Sequence, residues 1–344
     1  AQQFFSSGAT GGAGNDWLTD NDGGLLDAST LSGNGGNDRL EGNDGDDALN
    51  GGDGDDYLNG GAGEDAMNGG KGDDQFIVNN TDDKATEAGS EGTDTVFASV
   101  SYTINDTDVE RLVLTGGGNI NGTGNSSANE LYGNGGNNTL NAAQGADYVD
   151  GQGGNDTING GTGADTLFGG AGTDTINGDA DADLLFGDAD NDTLNGGAGN
   201  DVLTGGAGTD KMSGGDNDDI FLSIDSSDLS GGLIDGGNGH DIIQLNNLAA
   251  FTSANTGKID NIEVIDVEGG AGTAITLDYA SVISMTDADH VIEIRGNAGD
   301  SFNEDGWTQV ASGIAGDGRT FNVFQAQGAS GVATVYVENE ISVV

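Results

Sequence analysis

Gly196–Thr204, GGAGNDVLT, is one copy of the nine-residue unit that decides the fold of this chain. The unit recurs as GGDGDDYLN at Gly51–Asn59 and as GGTGADTLF at Gly160–Phe168. Its pattern is G-G-x-G-x-D-x-U-x, with U a large apolar residue. The phase is strict. In a first block the aspartates fall at Asp38, Asp47, Asp56, Asp65 and Asp74. In a second block the slot holds Asn138, then Asp147, Asp156, Asp165, Asp174, Asp183, Asp192, Asp201, Asp210 and Asp219. Asn129 extends that series backwards in a degenerate copy. Two copies lie out of phase, with Asp16 and Asp241 each 22 residues from the neighbouring block.

The apolar slot follows two residues after each aspartate. It reads Leu40, Leu49, Leu58, Met67 and Phe76, and later Leu140, Val149, Ile158, Leu167, Ile176, Leu185, Leu194, Leu203, Met212 and Phe221. One inward residue per unit makes a thin core. Three-residue strands alternating out, in, out are expected around it, with the glycine-rich remainder as the turn.

Composition narrows the partners. Asp and Glu total 59 against 8 Lys and Arg, a formal charge of -51 in 344 residues. Such a chain repels itself unless cations neutralise it, and nucleic acid or an anionic membrane would add to the repulsion. A disordered acidic tail is the plain alternative, but the acids here are periodic rather than blocky. The 67 glycines are patterned too, so they mark fixed turns rather than a linker. With no cysteine, neither disulfides nor thiolate metal sites can form. No apolar run is long enough for a membrane helix. The chain opens on Ala1 rather than Met without a leader pattern, and a fragment or processed product is expected.

These copies, over residues 11–77 and 124–244, resemble the RTX (repeats-in-toxin) family of bacterial type I-secreted proteins. The resemblance implies an all-β, right-handed parallel β-roll in which two nonapeptides make one coil, so that residues 18 apart stack. At about 4.8 Å per strand the ten-copy block would run about 24 Å. It also implies several calcium ions. Calcium takes six to eight oxygens at about 2.3–2.6 Å. Glycines at positions 2 and 4 of the unit would turn their carbonyls towards the ion: Gly52, Gly54, Gly161, Gly163, Gly170, Gly172, Gly197 and Gly199. The aspartates at position 6, with Asp16 and Asp241, would supply carboxylates. Asp156, Asp174, Asp192 and Asp210 would form one ladder, and Asp147, Asp165, Asp183, Asp201 and Asp219 the other. Bare carboxylates so stacked repel, and a divalent ion between them removes the repulsion.

Some copies depart from the pattern. Asn129 and Asn138 replace aspartate, and Ala142 and Ala143 replace glycines, so the weakest sites are expected there. Asp179, Asp181, Asp188 and Asp190 stand where glycine is usual and require unusual backbone. Outward positions carry rows of Thr and Asn, such as Thr157–Asn159 and Thr175–Asn177. The opposite face carries Phe168, Leu184, Phe186 and Leu222, a side suited to cover by another segment or chain. Flat Thr rows also raise an ice-binding reading, although Thr and Asn simply suit exposed strands.

Four regions are expected: a first roll block to residue 77, connecting strands over 78–123, a second block over 124–244, and a β-rich cap over 245–344. The connecting strands, TDTVFASVSYTI and ERLVLTG, should continue the solenoid. The cap should contain a short helix over 279–288 and end in VENEISVV, a sequence resembling an export signal of the type I route.

Enzyme motifs are missing. His240 and His290 cannot form H-E-x-x-H, and there is no G-x-S-x-G. Carboxylate pairs abound but occupy the repeat slots, which argues against a glycosidase reading. The chain is expected to be non-enzymatic and extracellular or on the bacterial surface. Two classes stand. One is a structural or adhesive protein that binds copies of itself or a surface ligand. The other is the non-catalytic C-terminal module of a larger toxin or hydrolase.

Overall fold

The protein is seen as a computed structural model. It describes residues 3–5, 8–20, 28–87, 92–224, 227–245, 250–252, 254–255, 258–267, 273–286, 291–296, 300–304, 306–314, 319–328, 331–338 and 341–344. His290 lies outside the described residues. The chain forms two compact units, Ala1–Thr166 and Leu167–Val344.

In the first unit Arg39–Asp44 pairs in parallel with Tyr57–Ala62, which pairs with Gln75–Val78. The intervening strands, Thr30–Gly35, Ala48–Asp53 and Ala66–Lys71, pair with one another in a second parallel sheet. Leu40 faces Leu58 and Leu49 faces Met67, a step of 18 residues. Two nonapeptides therefore make one coil, and the fold is a parallel β-roll. The apolar slot fills the space between the sheets: Leu40, Leu58, Met67 and Phe76 are fully buried.

The connecting segment continues the roll. Thr95–Ala98 pairs in parallel with Gln75–Val78 before it and with Arg111–Leu114 after it. Its coils are irregular: Gln75 aligns with Thr95, and Thr95 with Arg111, steps of 20 and 16 residues. Sheet pairing tolerates that variation. The step of 18 belongs to the glycine turns.

The strands are longer than the expected three residues. Tyr57–Ala62 and its counterparts run six residues, because ladder pairing continues through the two glycines. Glycine permits this: Gly52 has φ +114° and Gly54 φ +126°, values that L side chains rarely adopt. Aspartate takes the same conformation where it replaces glycine, with φ +73° at Asp179, +76° at Asp181, +72° at Asp188 and +79° at Asp190. Its short polar side chain makes the left-handed region tolerable. Ala143 is held there too, at φ +86°.

The second unit repeats the design. Leu184–Ala189, Val202–Ala207, Ile220–Ile224 and Ile242–Leu245 pair in parallel, as do Thr175–Ala180, Thr193–Ala198, Lys211–Asp216 and Leu233–Asn238. The roll does not stop where the glycine period ends. Val264–Asp266, Val291–Arg295 and Gly331–Glu338 add parallel strands to the first of these sheets. Antiparallel pairing begins only with Thr308–Ile314, Thr320–Gly328 and Gly331–Glu338. This meander lies within the region 245–344 where a β-rich cap was expected, beside parallel strands of the same region. The expected helix covers Tyr279–Met285, its first turn closed by Asp278 accepting from the Ser281 N–H. Trp307 is buried and its Nε1 donates to the Leu277 carbonyl at 2.6 Å.

The outward Asn rows are hydrogen-bonded ladders. Asn159 Nδ2 donates to Asn141 Oδ1 at 2.6 Å, and Asn195 Nδ2 to Asn177 Oδ1 at 2.8 Å. On the other face Phe168 stacks on Phe186 with centroids 4.7 Å apart. Among the described residues no helix is long and apolar enough to cross a membrane.

The two apolar positions of one strand should respond differently to truncation. Leu185 is fully buried and Leu184 is 41% exposed. In denaturant titrations, L185A is expected to lose about 2–5 kcal/mol. L184A should stay within about 0.5 kcal/mol of the parent.

Candidate metal centre

All sixteen aspartates singled out in the sequence are buried. Burial of so many carboxylates requires partners for their charge. The first partner is the backbone of the preceding coil. The Asp38 N–H donates to Asp56 Oδ1 at 2.7 Å, and the Asp56 N–H to Asp74 Oδ1 at 2.6 Å. The Asp47 N–H reaches Asp65 Oδ1 at 2.9 Å. In the second unit the Asp174 N–H donates to Asp192 Oδ1 and the Asp192 N–H to Asp210 Oδ1, at 2.8 and 2.9 Å. A parallel series joins Asp183 to Asp201, Asp201 to Asp219 and Asp219 to Asp241. Within each unit, residues 18 apart thus stand in ladders.

The second oxygen is the informative one. Oδ2 of Asp38, Asp56, Asp65, Asp74, Asp192, Asp201, Asp219 and Asp241 is buried without a hydrogen-bond donor. Each such oxygen looks into a small space beside the first glycine of its own unit. A carbon added at Gly187 would stand 2.6 Å from Asp192 Oδ2 and 2.5 Å from the Gly205 carbonyl oxygen, one coil on. A methyl group there would have to displace its neighbours. An ion with bonds of about 2.3–2.6 Å to hard oxygens fits the space. The same pairing of carboxylate and next-coil carbonyl recurs at Gly33, Gly42, Gly51, Gly178, Gly196 and Gly214.

The glycines expected at positions 2 and 4 have a related place. Gly52 sits against the Asn34 carbonyl and Gly54 against the Gly36 carbonyl of the preceding coil. Gly161, Gly163, Gly197 and Gly199 lie against the carbonyls of Ala143, Gly145, Asp179 and Asp181 in the same way. Gly170 and Gly172 share their positive φ. The glycine at position 1, which borders the carboxylate space, was not singled out by the sequence reading. Its signal was available: position 1 is glycine in most copies.

The departures from the pattern have structural counterparts. Asn138 Oδ1 accepts from the Asn134 N–H at 2.9 Å, and its Nδ2 donates to the Ile120 carbonyl at 2.6 Å. Asn129 likewise accepts from the Asn125 N–H at 2.7 Å and donates to the Val109 carbonyl at 3.3 Å. In these copies the amide hydrogens bond carbonyls of the preceding coil, and an uncharged amide oxygen stands beside position 1 in place of a carboxylate oxygen. Ala142 stands at position 1 of the Asp147 copy and is fully buried. By register its methyl fills the space that glycine leaves open elsewhere, while Asp147 Oδ2 remains buried without a donor. Asp16, at the start of the first ladder, instead turns Oδ2 to the Gly12 N–H at 2.7 Å.

The ladders also recruit acids that lie outside the repeats. Asp83 accepts from the Asp65 N–H, Asp94 from the Asp74 N–H and Glu110 from the Asp94 N–H. In the second unit Asp228 accepts from Asp210 and Glu263 from Asp241. Asp94, Glu110 and Glu263 break the nine-residue period, whereas Asp83 and Asp228 keep the phase, nine residues after Asp74 and Asp219, without the glycines of the unit. His240 is exposed, and its backbone N–H bonds Asp218 Oδ1 at 2.9 Å.

Without cations these carboxyls hold protons unusually well. Burial pushes Asp192 up to about 8, opposed by the Asp174 N–H and assisted by the charges of Asp174 and Asp210. Burial likewise raises Asp56, Asp74, Asp147 and Asp219 to about 7, and Asp65 and Asp241 to about 6. A carboxyl whose folded pKa exceeds its unfolded value binds more protons when folded. The metal-free fold therefore loses stability as pH rises from about 4 to about 8. In chelator, circular dichroism should register more β structure near pH 5 than at pH 8. Equal or greater β content at pH 8 would contradict this account.

The family comparison agrees with the geometry. The family model of the RTX calcium-binding nonapeptide repeat (4 copies) matches residues 24–58, 41–76, 123–158, 150–185, 159–194 and 186–221. No curated protein matches the chain. The matched stretches hold the buried aspartate ladders of both units. Over residues 24–76 and 123–221 the chain carries the nonapeptide repeats of the RTX calcium-binding repeat family.

Proposed function

We propose that this chain is a non-enzymatic structural module of the bacterial exterior that winds into its fold when it meets extracellular calcium. The observation that carries the reading is the row of buried Oδ2 atoms without donors, exemplified by Asp192, Asp201 and Asp219. Each faces a space bordered by a carbonyl of the next coil. When bound, calcium supplies the positive charge that such stacked carboxylates require. The residues do the rest. Glycines at positions 1, 2 and 4 keep the space open and the coils close. The Oδ1–backbone bond fixes each carboxylate, and the apolar slot seals the other side of the strand.

Binding and folding are then one event, because the ladder exists only when the coils are stacked. A ligand bound only to the native state adds about 2.7 kcal/mol per site at a hundred times its Kd. Low calcium would keep the chain unfolded and competent for export, and plentiful calcium outside would wind it. Asp38, Asp47, Asp56, Asp65 and Asp74 with their turns form one group of sites in this reading. In the second unit the aspartates from Asp174 to Asp241 form another. The copies at Asn129, Asn138 and Asp147 are the weak ones. In the second unit the stacked Phe168 and Phe186, with exposed Leu184 and Leu233, provide a face for contact with copies of the chain or a surface ligand.

At neutral pH the chain should be largely unfolded in chelator and gain β structure in millimolar calcium. A β spectrum unchanged by chelator would sink the reading. The weak copies offer a finer test. A142G reopens the space beside Asp147, so native mass spectrometry in calcium should count one more ion than in the parent. An unchanged count would remove the assigned role of position 1.

A further inference from the structure

The last unit of the first block ends differently from the others. Met67 aligns with Ala85 and Asn68 with Thr86, which brings Glu87 into register with Gly69. A carbon added at Gly69 would meet Asp74 Oδ2 and Glu87 Oε1. In earlier copies, such as that of Gly51, the second neighbour is a glycine carbonyl oxygen. A charged side chain thus takes the place of a neutral carbonyl.

Asp94 completes the group. One carboxylate oxygen from each of Asp74, Glu87 and Asp94 lies within 4.8 Å of the other two. Opposite ligands of one calcium ion stand about 4.6–5.2 Å apart, so all three oxygens can bind the same ion. Their remaining oxygens are already fixed. Asp74 Oδ1 accepts from the Asp56 N–H at 2.6 Å, Asp94 Oδ1 from the Asp74 N–H at 2.8 Å, and Glu87 Oε2 from the Gly70 N–H at 2.9 Å. Asp74 is fully buried, and its Oδ2 points into the group without a donor.

We propose that Asp74, Glu87 and Asp94 form a three-carboxylate calcium site that closes the first repeat block and pins the connecting segment to it. Glu87 and Asp94 lie outside any G-G-x-G-x-D unit, so the repeat does not assign this site. The inference rests on the calcium reading above and adds a ranking to it. Affinity in oxygen sites rises with the number of charged ligands. Three carboxylates on rigid backbone therefore make this the first site of the block to fill as calcium rises. Asp94 immediately precedes Thr95–Ala98, and Glu87 immediately follows Lys84–Thr86. One ion here ties both strands to the final glycine turn.

Calcium binding to the full chain, read by competition with a chromophoric chelator, tests this. E87Q should weaken the tightest-bound ion by about tenfold or more. E304Q, at an exposed acid of the other unit outside the ladders, should leave that ion as in the parent. A parent that binds calcium while E87Q retains its tightest ion overturns the site alone. A parent that binds no calcium overturns the calcium reading and the site together. Should E87Q fail to fold, anomalous scattering from terbium-soaked crystals of the unaltered protein decides. A peak bonded to all three carboxylates is expected, and its absence overturns the site.

Discussion

Everything in this roll depends on a half-satisfied carboxylate. The position-6 aspartates give one oxygen to the backbone N–H of the preceding coil, as Asp192 does for Asp174. In Asp192 the other oxygen faces the turn without a donor. The first contact sets the stacking of the coils. The second is an unfavourable burial that only a cation or a proton can relieve. Glycine is the necessary counterpart, because a single methyl at position 1 would occupy the space into which that oxygen looks. Aspartate and glycine are therefore two halves of one device, and their joint period is the period of the fold.

The device accounts for what varies and what does not. Outside the glycine turns the coil length drifts, yet Thr95–Ala98 and Arg111–Leu114 still pair in parallel. The sheets need only an inward apolar residue and a free strand edge. Where the aspartate is lost, at Asn129 and Asn138, the amide supplies its own N–H to nearby carbonyls and the roll persists without a charge to neutralise. Where glycine is lost at Asp179 and Asp188, aspartate tolerates positive φ. Past residue 245 the roll continues on apolar packing until the antiparallel meander closes it.

Much of this was legible beforehand because a solenoid converts sequence period directly into spatial neighbours. Leu40 over Leu58 follows from the 18-residue coil, and so does Asp38 under Asp56. The positive φ at Asp179, Asp181, Asp188 and Asp190 was likewise readable from the glycines they replace. The strand length was not. Residues after the apolar slot are glycines, and nothing in their chemistry announces that ladder pairing runs through them.

The sequence by itself determined the inward residues and the aspartates that carry the charge, which are local rules repeated at fixed spacing; the all-β roll and its coil of two units came from the resemblance of those repeats to the RTX family. Only the tertiary structure decided which further acids join the ladders. Asp94, Glu110 and Glu263 sit at irregular intervals, and they join the ladders only because coils of unequal length return to the same edge. It also decided that Glu87 replaces a carbonyl beside Asp74, and that the roll outlasts its glycines. Those outcomes depend on how the chain closes each coil in space, which spacing along the chain does not record.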